Sequence, residues 1–222
     1  MLIGGLQKTS LLDFPDKISA IVFTAGCNFR CGYCHNPELI NQVTTVKDIF
    51  EFLNSRKGKL DGVVITGGEP CLQKDLPEFI KKIKSLGFAV KLDTNGSFPE
   101  MLEKVLPDVD YVAMDIKAPL NKYSKIVNIN VNIDNIQKSI NLLKNSGIDY
   151  EFRTTVIKSQ LSYKDFEEIG ILIQNAPRYY LQKFVPSKIL DPSLKSETTY
   201  SAEEFEKIKK VLTPYISEIY VR

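Results

Sequence analysis

The sequence predicts an α/β fold, an open and partial (β/α)6 barrel. Three observations carry that reading. Short apolar runs rich in β-branched residues alternate with amphipathic helical patterns from one end of the chain to the other. Such alternation implies parallel strands joined by right-handed helical crossovers. The period recurs about six times, too few for the eight-fold closed barrel. A length of 222 residues suits one domain, residues 1–222, with a core large enough to fold unaided.

Taken in order, residues 18–24 form the first apolar run, and residues 63–66 the second, followed by Gly67-Gly68. Residues 89–92, 111–114, 152–157 and 180–185 continue the series. Runs this short and this apolar suit strands covered on both faces. Between them, Thr45 with Asp48 resembles a capping box opening a helix through Ile49, Phe50 and Leu53. Asp75 is placed to cap the next helix, with Pro77 in its first turn and Gly87 at its stop. Leu76, Phe79, Ile80 and Ile83 share one face of that helix. Ile136, Ile140 and Leu143 mark a helix ending at Gly147, and Ser162 with Asp165 opens another. Ser201 with Glu204 is the clearest capping box, ahead of Phe205, Ile208 and Val211. Residues 186–199 are turn-rich and read as a loop.

Composition excludes several classes. A formal charge of +2 leaves no footprint for nucleic acid, and acidic residues interleave the lysines as on solvated helix faces. No apolar run approaches the roughly 18–20 residues of a membrane span. The first ten residues lack a signal-peptide pattern, so the expected location is the cytoplasm. Cysteines there stay reduced, and clustered ones read as metal ligands before disulfides.

Three of the four cysteines lie in Cys27-Asn28-Phe29-Arg30-Cys31-Gly32-Tyr33-Cys34, directly after the first predicted strand. A C-x3-C-x2-C loop can wrap three thiolates around one face of an iron–sulfur cube. Most [4Fe–4S] clusters have four Cys ligands. Three leave one iron open to a substrate. Gly32 is read as letting the backbone approach the cluster. Two other readings stay open on spacing alone. Cys27, Cys31, Cys34 and His35 could form a Cys3His zinc site, although adjacent ligands are awkward. Cys71 could also close the cluster as a fourth ligand.

With an aromatic residue, Tyr33, before its last cysteine, this motif resembles the hallmark of the radical S-adenosylmethionine (SAM) superfamily. The second family element is a Gly-Gly-Glu after the second strand, matched here by Gly67-Gly68-Glu69. The resemblance implies a [4Fe–4S] cluster on Cys27, Cys31 and Cys34 and SAM chelating its open iron. It places Tyr33, Gly67, Gly68 and Glu69 among the SAM contacts, with the strand edge meeting the methionine amino group. Asp93-Thr94-Asn95-Gly96 and Met114-Asp115-Ile116-Lys117 resemble segments of the glycyl-radical-enzyme activating enzymes. In those relatives the Asp-Thr and Asp-x-Lys contact SAM or line a monovalent cation site, which implies SAM-contact roles for Asp93, Thr94, Asp115 and Lys117 and a cation near Asp93 and Asp115. Lys117 can meet a carboxylate or a ribose oxygen, and Asp115 can accept from a ribose hydroxyl. Arg153 is matched to an arginine that touches the adenosyl group. The sixth predicted strand departs from the pattern: Gln182-Lys183-Phe184-Val185-Pro186 has no histidine, and the chain's one histidine is His35.

Residues 4–10 (GGLQKTS), 12–15 (LDFP), 22–24 and 26–30 further resemble the activating proteins of anaerobic ribonucleoside-triphosphate reductase, with Asp16 where relatives often carry Gly. That implies an oxidoreductase that cleaves SAM reductively to a 5′-deoxyadenosyl radical and generates a glycyl radical on a partner enzyme. Anaerobic ribonucleotide reductase is the expected partner, and a flavodoxin or ferredoxin the expected electron donor. A pyruvate formate-lyase-type activase and a radical SAM enzyme acting on a small molecule are the alternatives. A non-catalytic zinc or electron-transfer module is the reading from another class.

Overall fold

The computed structural model describes residues 1–41, 46 and 48–222. Eight strands form one sheet in chain order: β1 (Ile3–Ser10), β2 (Ser19–Thr24), β3 (Gly62–Gly67), β4 (Ala89–Thr94), β5 (Tyr111–Asp115), β6 (Asp149–Val156), β7 (Arg178–Lys183) and β8 (Glu218–Val221). β1 runs antiparallel to β2, and every later neighbour is parallel. The order ends at β1 and β8, so the barrel stays open. Helices α1 (Ile49–Ser55), α2 (Leu76–Ser85), α3 (Pro99–Val105), α4 (Tyr123–Val127), α5 (Ile133–Asn145), α6 (Tyr163–Leu172) and α7 (Ala202–Leu212) fill the crossovers.

The six predicted strands are β2 to β7, each followed by helix. β1 and β8 are additions at the two open edges. The burial of alternate residues sorts the sheet into two faces. Ala20, Val22, Val63, Ile65, Val90, Leu92, Val112, Phe152 and Leu181 belong to the main core, together with helix residues such as Leu76, Ile80, Ile140 and Phe205. Each buried Val, Leu, Ile or Phe among them contributes about 1.5–3 kcal/mol. The opposite face differs along its length. At the N-terminal end of the strands, Phe14 from the β1–β2 connection packs with Ile21, Val64 and Tyr111 as a small apolar plug. Toward the C-terminal ends that face turns polar.

Ser162 and Asp165 form a reciprocal capping box at α6, as do Ser201 and Glu204 at α7. Each such cap contributes about 0.5–2 kcal/mol. Gly87 and Gly147 take positive φ just past α2 and α5, as C-terminal stops do. Two caps differ from expectation. Thr45 lies outside the described residues, and Asp48 precedes α1 in a left-handed conformation without a side-chain cap bond. Asp75 makes no cap bond either; its carboxylate takes the N-terminal ammonium of Met1 instead. The turn-rich stretch carries a short 3-10 turn, Pro192–Ser196.

Candidate SAM and iron–sulfur site

A cavity of about 300 Å³ opens at the C-terminal ends of the strands. Cys27, Cys31 and Cys34 line it on one side, with Tyr33 beside them. Gly67, Gly68 and Glu69 line it at and just past the end of β3, Asp93 and Thr94 from β4, Asp115 and Lys117 at and just past the end of β5, and Arg153 from β6. Residues spread over more than half the chain thus converge because parallel strands deliver their C-terminal ends to one face.

The cysteine loop is held from within and from behind. Arg30 Nη1 donates to the carbonyls of Cys27 (2.8 Å) and Phe29 (2.9 Å). Arg30 N donates to Val127 O at the end of α4, and Asn128 Nδ2 returns a bond to Arg30 O. Phe29 is buried edge-on against Tyr123 of α4. The Phe29 amide donates to Cys27 Sγ (3.4 Å). Gly32 also meets the turn after β7. A Cβ there would meet Leu194 Cδ1 at 3.0 Å and Asp191 Cβ at 3.2 Å, and Gly32 O accepts from Asp191 N, so the 192–196 turn packs closely on the loop.

Gly67 and Gly68 are dictated by the meeting of β2 and β3. Gly67 has φ +117°, and a Cβ on Gly68 would lie 2.0 Å from Gly26 O. Gly68 N donates to Thr24 O and Glu69 N to Gly26 O, joining this edge to the residue before Cys27. Glu69 is fully buried. Its carboxylate accepts from Cys71 N (2.9 Å), Thr94 Oγ1 (2.7 Å) and Asn95 N (2.7 Å), tying the end of β3 to the end of β4. Burial raises its pKa, with those three donors opposing the shift. Cys71 is buried in the Pro70–Leu72 turn and does not line the cavity.

Asp93, Asp115, Lys117 and Arg153 form one network with Lys91. Arg153 Nε donates to Asp115 Oδ1 and Arg153 Nη1 to Asp93 Oδ2 (3.0 Å). Lys91 Nζ meets Asp93 Oδ1 (2.7 Å), and Lys117 Nζ meets Asp115 Oδ2 (2.8 Å). Burial alone would raise the pKa of both aspartates, but the basic groups outweigh it and hold both carboxyls below their ordinary range. Burial likewise favours neutral Lys117, yet Asp115 keeps its pKa well above the usual lysine value.

Sequence reading missed several lining residues. Thr155 and Gln182, partners in the β6–β7 register, both face the cavity. Their positions at strand ends were the signal, since those ends point at the site. His35 lines the rim and stacks near Phe184 (6.3 Å between rings).

The donor set fits an iron–sulfur cluster. Three thiols from one short loop face one cavity, and thiolates are the ligands such clusters take. Burial pushes the Cys27 thiol up to about 12, and burial raises Cys31 too. Ionising them calls for a compensating metal charge. Among the described residues, no three His, Cys, Asp or Glu side chains are grouped as ligands of a single metal ion. The Tyr33 hydroxyl is buried without a protein partner, and Lys117 Nζ lies 5.9 Å from the Tyr33 ring. A polar ligand beside the thiols fits both.

The family model of the Radical SAM superfamily matches residues 21–172. A Methanocaldococcus jannaschii protein assigned as a glycyl-radical enzyme activating enzyme, MJ1227, is 33% identical over 100% of this chain and 95% of its own length. The pyruvate formate-lyase-activating enzyme of Clostridium pasteurianum is 34% identical over 52% of each chain, so this protein spans about half of that relative. Among solved structures, Streptococcus suis SuiB bound to precursor peptide SuiA matches with a TM-score of 0.71 at 15% identity, over 90% of this chain and 47% of that one. A domain of pyruvate-formate lyase-activating enzyme from Bacteroides vulgatus matches with a TM-score of 0.58 at 17% identity, over 71% of this chain and 98% of that one. At such identities the two structures speak for the fold, and among the described residues no helix is long and apolar enough to cross a membrane. On the family match and the end-to-end relative, the chain belongs to the radical SAM superfamily, with the glycyl-radical enzyme activating enzymes.

Proposed function

We propose that this protein is a glycyl-radical-enzyme activase, with residues 1–222 working as one catalytic domain in the cytoplasm. Cys27, Cys31 and Cys34 would hold a [4Fe–4S] cluster, and Tyr33, Gly67, Gly68, Glu69, Asp93, Thr94, Asp115, Lys117 and Arg153 would contact SAM. A cluster bound there would supply the single electron for reductive cleavage of the C5′–S bond of SAM, chemistry that would give methionine and a 5′-deoxyadenosyl radical able to take a Cα hydrogen from a partner glycine. The observation that carries this reading is the convergence of three thiols, the Gly67-Gly68 edge and a charged network on one cavity.

The protein's own residues bind and orient. The Arg30 bonds preset the cysteine loop before any ligand arrives. Lys117, held cationic by Asp115, offers a charged donor to a carboxylate or a ribose oxygen. Glu69 spends its carboxylate on aligning two strand ends. Gln182 of β7 and His35 after the cysteine loop also line this open cavity, which suits a substrate that arrives as a loop of another protein and supplies its own cover.

The sequence resemblance favours anaerobic ribonucleoside-triphosphate reductase as partner, with a flavodoxin or ferredoxin as electron donor. The similarity to the Clostridium pasteurianum enzyme supports a pyruvate formate-lyase-type partner as the second reading. The test is anaerobic reconstitution followed by electron paramagnetic resonance on candidate partners. A glycyl radical that depends on SAM, reductant and this protein is the expected result. Steady SAM cleavage with no radical on any glycyl-radical enzyme would overturn the activase reading.

A further inference from the structure

The resemblance implies a monovalent cation near Asp93 and Asp115, and the residues around those carboxylates do not fit one. Both aspartates project from adjacent strands toward the cavity, and Arg153 lies on the next strand, directly opposite Asp115 in the β5–β6 register. The Ile116 N to Arg153 O bond (2.8 Å) continues that pairing. All four carboxylate oxygens accept from a charged N–H: Asp93 from Lys91 and Arg153, Asp115 from Arg153 and Lys117. Arg153 spans the two acids with different nitrogens of one guanidinium. The next carboxylate along the barrel interior, Glu151, is taken by the Tyr111 hydroxyl and Arg222.

Charge counting gives the same answer. Three basic and two acidic side chains leave a single positive charge in a largely buried group. A further cation would double that charge where screening is weak. The carboxylate of a bound ligand would instead be attracted to it. A planar guanidinium also holds two carboxylates in fixed geometry, as a mobile ion cannot.

We infer that Arg153 acts as a built-in cation between Asp93 and Asp115, so that this protein binds SAM without K⁺ or Na⁺. The inference rests on the proposed SAM site. Arg153 is thereby a positioning residue: two of its nitrogens are spent on holding the carboxylates.

The test uses the cluster-loaded protein exchanged into tetramethylammonium buffer. SAM affinity is measured by calorimetry as K⁺ or Na⁺ replaces tetramethylammonium at equal ionic strength. The wild type is expected to change by less than about twofold. Arg153→Ala, which leaves room for an ion, is expected to lose about tenfold or more in affinity in tetramethylammonium and to recover most of it in K⁺ or Na⁺. Wild-type binding that needs either ion, or a loss in Arg153→Ala that neither ion restores, would overturn the inference. Should Arg153→Ala fail to fold, the thermal midpoint of the cluster-free wild type decides: an upshift specific to K⁺ or Na⁺ overturns the inference, and its absence supports it. Failure to bind SAM in every salt is a separate outcome that overturns the functional reading and this inference with it.

Discussion

Gly68→Ala separates two accounts of the Gly-Gly-Glu edge. If the glycine serves the ligand, the cluster-free protein should tolerate alanine. If it serves the meeting of β2 and β3, the cluster-free protein should suffer. The geometry favours the second. The new Cβ would sit 2.0 Å from Gly26 O and 2.6 Å from Gly26 C, both backbone atoms that cannot rotate away. Relief needs a backbone shift of roughly 1 Å, which overpacking data put at about 1–3 kcal/mol. The shift also strains the Gly68 N–Thr24 O and Glu69 N–Gly26 O bonds, each contributing about 0.5–1.5 kcal/mol. The sum is about 2–6 kcal/mol, or roughly 4–24 °C in thermal midpoint for a chain of this size. Urea and thermal denaturation of the cluster-free protein measure it. Gly58→Ala is the control, with φ +70° and nothing within 4 Å of its Cβ, so only the left-handed backbone penalty of about 1–2 kcal/mol applies. A Gly68→Ala protein as stable as wild type, with SAM binding alone impaired, would refute the packing argument.

Three further outcomes follow from the same site. Cys71→Ala is expected to keep its iron and its SAM cleavage, because Cys71 lies outside the cavity, whereas Ala at Cys27, Cys31 or Cys34 is expected to abolish cleavage; loss of iron from Cys71→Ala contradicts the three-ligand cluster. Lys117→Ala removes a charged donor, so SAM affinity should fall by about tenfold or more with iron content intact, and unchanged calorimetric affinity would exclude Lys117 from the contact set. Asp93 and Asp115 have folded pKa values below their ordinary range, so the stability they contribute is present above pH ~4 and is lost as pH falls through those lowered values. Arg153→Ala should shrink that acid-side loss in urea midpoints measured across pH, and an unchanged profile would show that Arg153 is not what lowers them.

Much of this architecture was legible because parallel strands need unbroken apolar runs and helices need caps. Residues 63–66 and 111–114 are such runs, and Ser162–Asp165 and Ser201–Glu204 are such caps; each forms as expected. β1 was not legible, since Gly4, Gly5, Gln7 and Lys8 suit an exposed edge strand rather than a buried one. β8 has four residues, with Glu218 and Tyr220 exposed, too short and too mixed to register as a run. The strand-end motifs pointed to the cavity because fold and motif agree on one face. What they could not tell was how the side chains spend their bonds. Glu69 is read as a ligand contact from its motif, yet its three protein donors come from Cys71, Thr94 and Asn95, groups whose approach depends on the folded sheet. The strand-end motifs named Asp93, Asp115, Lys117 and Arg153; Lys91, a lysine inside the 89–92 run, completes the buried charge network and was not singled out.

The central claim is that a cluster-bound SAM in this cavity draws hydrogen from a glycine of another protein. Deuterium transfer tests it most directly. A candidate glycyl-radical enzyme is prepared with Cα-deuterated glycine and combined anaerobically with the reconstituted protein, SAM and reductant, and the 5′-deoxyadenosine is analysed by mass spectrometry. The account predicts deuterium in 5′-deoxyadenosine in step with the glycyl radical signal. Stoichiometric transfer from a small metabolite, with none from any glycyl-radical enzyme, would contradict it.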